Sequence, residues 1–570
     1  MTAIRVWAPN VSRLRLQAAG RTADLDAAED GWWTGPELEP GTDYAFLLDD
    51  DPTPLPDPAS RWQPEGVHGP SRVYDQHAFE WHDAEWTGRD LTAAVIYELH
   101  VGTFTPGATF DHAIERLEHL VELGVTHVEV LPVNDFNGVW NWGYDGVQWY
   151  AVHESYGGPD GLKRFVDAAH GKGLAVVLDV VYNHFGPSGN YLPRYGPYLK
   201  SGRNTWGDLV NLENPNVRRY VIDNAMMWLR DFHVDALRLD AVHALQDSSP
   251  THVLAELSQA TETLAGMVGR PLSLIAESDL NDPMMITRRD RGGYGMTAQW
   301  DDDVHHALHA LLTGERQGYY CDFGSLPVLA KVLTRAFLHD GTFSTFRGRV
   351  HGAPIDPAQH LGWQFVACLQ NHDQVGNRAL GERLPELTTP ALVRVGAVLL
   401  LTAPFTPMLW MGEEWAASTR WPFFTSHPEP ELAAAVSKGR LEEFADHGWD
   451  PATILDPQDP RAYEEAILDW SEPAKDGHAE VLDLYRRLTA LRAAEPDLRD
   501  PHLDQVQVEY DEAAQWLVVH RGSFRVAANL ADDEATLPVA GGQVVLATGA
   551  AEAGPERLRL AGQSAAIVRL

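Results

Sequence analysis

DALRLDAVHAL (235–245) opens as an alternating apolar run, the pattern of a strand whose side chains point in turn to the two faces of a sheet. Arg238 and Asp240 stand two residues apart and so share one face at the end of that strand. A cation and a carboxylate are costly to bury side by side. Here the arginine would keep the aspartate ionised and fix its direction. From this stretch alone, the alternative is an ion pair that merely braces a sheet.

Three further stretches weaken that alternative. AVVLDVVYNHFG (175–186) is an apolar strand ending in Asp179, Asn183 and His184. LSLIAESDL (272–280) ends in Glu277, and FVACLQNHDQVGN (365–377) ends in His372 and Asp373. Four apolar strands that each deliver an acid or a histidine at the C-terminal end predict an α/β fold, a TIM (β/α)8 barrel with its catalytic residues on one rim.

The surrounding chain fits that reading. From Ala93 the pattern alternates strand, helix, strand. VIYELH (95–100) reads as the first strand. Residues 109–124 read as one amphipathic helix, with Ile114, Leu117, Leu120 and Val121 on its buried face and Gly124 closing it. The second strand is expected at 125–134, the next helix at 158–173, and later helices at 216–232 and near 253–266. Residues 295–303, 364–373 and 404–414 supply the sixth, seventh and eighth strands, and a helix at 479–496 closes the barrel. Residues 185–213, rich in Gly, Pro, Tyr and Asn, read as a lobe inserted after the third strand. The loops after the sixth and eighth strands are long.

Outside the barrel the period drops to two. IRVWAP (4–9), LRLQAAG (14–20) and DYAFLLDD (43–50) predict an N-terminal β-sandwich, covered by the Pro-rich stretch 51–66. VQVEY, WLVVHRG, FRVAANL, VVLAT and AAIVRL predict a C-terminal β domain. The expected division is 1–90, 91–497 and 498–570.

With 81 acidic against 44 basic residues, the 570-residue chain carries a net charge of −37. That disfavours nucleic acid and anionic membrane as partners and suits a neutral substrate such as a sugar. Cys321 and Cys368 are too few for a disulfide framework, and Cys368, in an apolar strand, reads as a buried thiol. MTAIRVWAPN has no basic-plus-apolar leader pattern and no apolar run is long enough for a bilayer, so a cytoplasmic enzyme is expected.

Taken together, DVVYNH, LRLDAVH, AES and NHDQ resemble, in order, the four conserved regions of the α-amylase family of glycoside hydrolases. The likeness spans about 93–496 together with both β domains, and RVWAPNV looks like the β-sandwich that precedes branching and debranching enzymes. Within the family, residues 206–245, 298–309 (AQWDDDVHHALH) and 410–444 (beginning WMGEEWAASTRW) resemble one branch closely. Its members cut the α-1,4 bond joining a maltooligosaccharide to a terminal trehalose.

The resemblance implies a retaining hydrolase acting on an oligosaccharide, maltooligosyltrehalose. Asp240 would be the nucleophile, Glu277 the general acid and then base, and Asp373 the stabiliser of the transition state. The apolar run LSLIA before Glu277 independently favours a raised pKa. Arg238 would orient Asp240, His184 and His372 would hydrogen-bond the sugar, and Tyr144 in NWGYDGV would stack on it. Further contacts are expected from Leu239, Ala241, Val242 and His243, from Asp302, Asp303, Val304, His305 and His306, and from Gln374, Val375, Gly376 and Asn377. Many relatives hold Ca²⁺ near the position of Asn183, but the branch resembled works without a metal, so no metal or other cofactor is expected. An α-glucan branching enzyme, making α-1,6 links, is the alternative of the same fold; a non-catalytic starch-binding barrel is the alternative of another class.

Overall fold

The computed structural model describes residues 2–446 and 454–570; the expected barrel span of 91–497 thus includes seven positions, 447–453, outside the described residues. Eight parallel strands close into a barrel. In chain order they are Ile96–Leu99, His127–Val130, Ala175–Val180, Ala236–Leu239, Ser273–Ala276, Ala298–Trp300, Phe365–Cys368 and Thr406–Trp410. Every residue of these strands is buried, as a parallel sheet covered by helices outside and by its own side chains inside requires.

The inward positions form two layers of different chemistry. Towards the N-terminal ends, Ile96, Val177, Ala236, Ile275, Val366 and Met408 pack into an apolar plug that also holds Cys368. Above it the layer is ionic. The register sets Glu98 beside Glu129 on the first two strands, and Asp179 beside Arg238 on the third and fourth. Charge thus enters the barrel only where the strands approach the C-terminal rim.

The sequence reading needs three corrections of detail. The expected single helix over 109–124 is two, Phe110–Ile114 and Leu117–Leu123, interrupted at Glu115 and Arg116. The break turns Leu117, Leu120 and Leu123 inward and leaves Val121 exposed. The sixth strand is only Ala298–Trp300, because Asp302 already starts the helix Asp302–Thr313. The seventh ends at Cys368, and His372–Gly376 is a short helix capped by the Asn371 side chain.

The stretch after the third strand carries the helix Leu192–Tyr195 and a hairpin of Leu199–Arg203 with Asp208–Val210. The long connection after the sixth strand carries a second hairpin, Thr342–Ser344 with Arg349–His351. Two small antiparallel sheets precede the barrel, one built on Thr2–Trp7 and one on Leu14–Ala18 and Asp43–Leu48. A five-stranded and a three-stranded sheet follow it, from Gln507–Asp511 to Ser564–Arg569. Among the described residues no helix is long and apolar enough to cross a membrane, and both cysteines are free thiols.

Candidate active site

The fourth strand delivers the first acid. Its ladder runs one residue past Leu239, where the Asp240 amide donates to the Val180 carbonyl at 3.0 Å. Ala241 then takes left-handed backbone angles (φ 39°, ψ 51°) and the chain turns into the short helical segment Val242–Ala244. Such a conformation is unfavourable for alanine and persists only where the surroundings hold it. Here the turned Ala241 amide donates to a Glu277 carboxylate oxygen, and the Val242 amide to the Glu277 carbonyl at 2.9 Å. The ends of the fourth and fifth strands are stitched together through the two acids.

Arg238 sits beneath them, fully buried. Its Nη1 donates to Asp240 Oδ1 at 2.8 Å and to both Asp179 oxygens at 3.0 and 2.9 Å. Its Nη2 lies 3.7 Å from Glu277 Oε2, and its guanidinium lies over the Trp300 ring at 4.2 Å. Asp240 Oδ2 accepts from Asn183 Nδ2 at 2.7 Å. The two candidate acids therefore share one cation but not one environment. Asp240 is fixed by two side-chain donors, Arg238 and Asn183. Burial pushes Glu277 up to about 8, against the pull of Arg238 and with the push of Asp240 and Asp373. At neutral pH Glu277 therefore carries a proton, as a general acid must.

The seventh strand brings the third group. Asp373 is well exposed and accepts from Asn377 Nδ2 at 3.1 Å. His372 beside it is buried, with Nδ1 2.6 Å from Glu98 Oε1 and Nε2 2.8 Å from the Tyr144 hydroxyl. That hydroxyl donates to Asp179 Oδ2 at 2.7 Å, and the Tyr144 ring stacks on His372. Tyr144 owes its place to a tight loop: at Gly143 (φ 108°) an added Cβ would stand 2.0 Å from the Pro132 carbonyl oxygen. His184 Nε2 contacts the Tyr144 carbonyl at 3.0 Å, and burial pushes its ring towards the neutral form.

These groups open onto one cavity of about 800 Å³. Of the expected site residues, Tyr144, His184, Asp240, Ala241, Glu277, Asp302, His306, His372, Asp373, Gln374 and Asn377 line it. The others do not. Arg238 lies under the floor. Leu239, Val242, Val304 and Val375 are core side chains. His243 turns aside towards Asp279 and the Trp206 ring. Asp302 and His306 lie one helical turn apart and share the cavity face, so the intervening residues point elsewhere. Asp303 is buried and accepts from Asn281 Nδ2 and from the Leu338 and His339 amides, and His305 meets the Tyr320 hydroxyl at 3.0 Å. Gly376 is close packing: its added Cβ would stand 2.1 Å from Trp142.

The sequence reading missed the aromatic wall of this cavity. Trp206, Tyr319, Phe346 and Phe423 line it together with Arg347 and Arg440. Trp206 comes from the hairpin after the third strand and is 47% exposed; Phe346 comes from the tip of the second hairpin and is 50% exposed. Large aromatics in loops were the available signal, but only the fold brings the connections after the third, sixth and eighth strands together. Flat rings on a wall that also carries carboxylates and imidazoles suit a sugar, whose C–H faces stack while its hydroxyls hydrogen-bond.

Comparison with known proteins agrees with this chemistry. Residues 107–197 match the family described as alpha amylase, catalytic domain, and residues 501–567 match a domain of unknown function, DUF3459. A curated relative from Rhizobium sp. (strain M-11), named malto-oligosyltrehalose trehalohydrolase, is 53% identical over 95% of this chain and 93% of its own length. A relative of the same name from Arthrobacter ramosus is 54% identical over 99% of both chains. A 1,4-alpha-glucan branching enzyme from Aliivibrio fischeri is 31% identical over only 42% of this chain and 38% of its own. A crystal structure of a Salmonella typhimurium protein, provisionally described as an alpha amylase, is 38% identical with a TM-score of 0.92, covering 99% of this chain and 97% of that one.

Proposed function

The chain belongs to the malto-oligosyltrehalose trehalohydrolase family, of the α-amylase type, and we propose that it hydrolyses the α-1,4-glucosidic bond next to the terminal trehalose of maltooligosyltrehalose with retention. The observation that carries the mechanism is the buried Arg238 guanidinium, 2.8 Å from Asp240 and 3.7 Å from a Glu277 held as the acid.

The reaction then runs in two balanced steps. An Asp240 oxygen attacks the anomeric carbon while the Glu277 proton passes to the glycosidic oxygen, so trehalose leaves as a neutral alcohol and a glycosyl ester remains on Asp240. Water then gives a proton to the Glu277 carboxylate and attacks the same carbon, freeing Asp240 and a maltooligosaccharide whose new reducing end is the α-anomer. Asp373, on the open side of the cavity, binds hydroxyls of the reacting sugar and opposes the positive charge of the oxocarbenium-like transition state. Tyr144, His184, His372, Asp302 and His306 contact the oligosaccharide.

Selectivity for trehalose would come from the wall built by the connections after the sixth and eighth strands. Trehalose has no reducing end and a bent 1,1-linkage, and a wall that pairs its hydroxyls disfavours a 1,4-linked end that leaves them unpaired. The full-length likeness to trehalohydrolases and the partial likeness to a branching enzyme both support hydrolysis over transfer. We extend the reading to a role in trehalose formation, to a cytoplasmic location, which two unpaired thiols fit, and to three units divided as 1–90, 91–497 and 498–570.

Product analysis tests this. Maltotriosyltrehalose should give trehalose and maltotriose with kcat/KM at least about 10²-fold above that for cutting maltopentaose. Early product followed by NMR should show the α-anomer. Equal rates on the two substrates would mean a general amylase, and new α-1,6 links on amylose would mean a branching enzyme.

A further inference from the structure

We propose that Glu98, on the first barrel strand, is a positioning residue that holds His372 doubly protonated, so that the resting site presents a fixed imidazolium beside Asp373. The inference deepens the reading above and rests on it only for the identity of the substrate.

The argument is a count of protons. Glu98 is fully buried; Oε2 accepts from the His372 amide at 3.0 Å, and Oε1 stands 2.6 Å from His372 Nδ1. The proton in that short contact belongs on Nδ1, because an imidazole is a stronger base than a carboxylate. At the other side of the ring, Nε2 meets the Tyr144 hydroxyl at 2.8 Å. That hydroxyl has one proton, and Asp179 Oδ2 stands 2.7 Å away to take it. Asp179 is an acceptor in turn, because both its oxygens receive Arg238 Nη1. Burial pushes it up only to about 6, which leaves it ionised at neutral pH. The tyrosine oxygen therefore turns a lone pair to Nε2, and Nε2 also carries a proton. A ring with two N–H groups is a cation.

The groups facing the ring from each packed element agree. The second strand contributes Glu129, which burial holds in the neutral form, and the fourth contributes Arg238, which opposes the charge. His100, near enough to feel the charge of the ring, is pushed down to about 3 by burial and adds no second cation. Asp373 lies 3.4 Å from Nε2. Trp142, Trp300 and Trp410 fill the remaining neighbourhood with uncharged rings. Burial alone would lower His372, but Asp373 and Glu98 outweigh it and raise the ring to about 9. A first-strand residue that never meets the substrate thus sets the charge of one that does.

The test is Glu98→Gln beside Glu98→Asp in the full chain. A glutamine can turn its amide N–H to Nδ1 and so favours the neutral ring. Glu98→Gln should lower kcat/KM at pH 7.5 by between about 10- and 10⁴-fold, the range for an orienting carboxylate. It should also lower the pH at which His372 loses its second ring proton, followed by ¹⁵N-histidine NMR, by about one unit or more. Glu98→Asp should lose rate but keep that midpoint, since the counter-charge remains. A folded Glu98→Gln protein with an unmoved His372 midpoint would mean a merely structural glutamate and overturn the proposal. Where Glu98→Gln does not fold, ¹⁵N-histidine NMR of the unmodified protein decides, using the signal lost in His372→Asn. Two protonated ring nitrogens up to about pH 8 support the proposal, and a neutral ring at pH 7 overturns it. Because this readout needs no substrate, a failed trehalose assay with a doubly protonated His372 would count against the assigned substrate alone.

Discussion

Asp235 and Asp240 bracket the same four-residue strand, Ala236–Leu239, and could hardly differ more. Each extends the parallel ladder by one bond, Asp235 to Val176 and Asp240 to Val180. At the lower end, Asp235 is saturated. Its Oδ1 accepts from Trp86 Nε1 at 2.9 Å and Arg270 Nη1 at 2.6 Å, and its Oδ2 from His170 at 2.9 Å and the Val176 amide at 2.9 Å. His170 continues to Asp83, which also binds His233. At the upper end, the Asp240 carboxylate has two side-chain donors, Arg238 and Asn183, and a face turned to the cavity. A carboxylate whose acceptor directions are all filled is a structural anion; one held by two donors keeps a lone pair for an electrophile. Coordination, not residue type, separates the two roles.

Four substitutions sharpen or break that contrast. The largest effect is expected at Asp240→Asn, which should lower kcat by about 10⁴-fold or more on loss of the nucleophile. Its melting temperature should stay within a few degrees, since the amide keeps the shape and Arg238 keeps Asp179. Retained turnover would transfer the nucleophilic role elsewhere. Glu277→Gln should cost about 10²–10⁴-fold in kcat with substrate binding kept. In the unsubstituted enzyme, activity should fall as pH rises through about 8, where Glu277 loses its proton. A limb that survives in Glu277→Gln belongs to another group.

The third substitution inverts the pattern. Asp235→Asn should leave kcat per folded molecule within a few-fold but lower stability by about 3–5 kcal/mol, the usual cost of stranding buried partners. Burial pushes Asp235 up, but His170, Arg270 and Trp86 outweigh it and hold it below the ordinary carboxylate range. Its contribution is therefore present above the unfolded-state pKa and disappears in acid, so the two proteins should converge when melted at low pH. A large rate loss at full stability would refute the division between the two ends. The smallest effect is expected at Glu129→Gln. Among the described residues neither Glu129 oxygen has a hydrogen-bond partner, and burial holds the carboxyl far above its usual range. An unfolded glutamate ionises near pH 4.5, so this group disfavours folding increasingly as pH rises above that, by about 1 kcal/mol per pH unit until the folded group ionises. Glu129→Gln should stabilise at pH 7 and do nothing at pH 4, as read by denaturant midpoints at both.

The barrel and its two flanking β regions were legible because period, burial and strand-end chemistry agree along the sequence. Asp240, Glu277, Asp373, His184, His372 and Tyr144 were legible for the same reason joined to a family pattern. Within the motifs, however, contiguity misled. Asp303, Val304 and His305 neighbour Asp302 in sequence, yet helical geometry sends them into the core or to other partners. The reverse failure is Glu98, whose bonds to His372 span 274 positions. Trp206, Tyr319, Phe346 and Phe423 become one wall only after several loops converge. Nothing local marks Asp235 as structural either: the donors that fill it lie on segments far along the chain.

The apolar plug beneath the ionic layer has a kinetic meaning as well. Cys368 sits inside it at 6% exposure, and burial pushes its thiol up, while Cys321 lies partly exposed after the helix Asp302–Thr313. A thiol reagent can reach Cys368 only when the strands separate, whereas Cys321 reacts from the closed barrel. The chain therefore carries its own clock: the slow label counts openings of the barrel, and the faster label at Cys321 gives a reference from the folded state in the same tube.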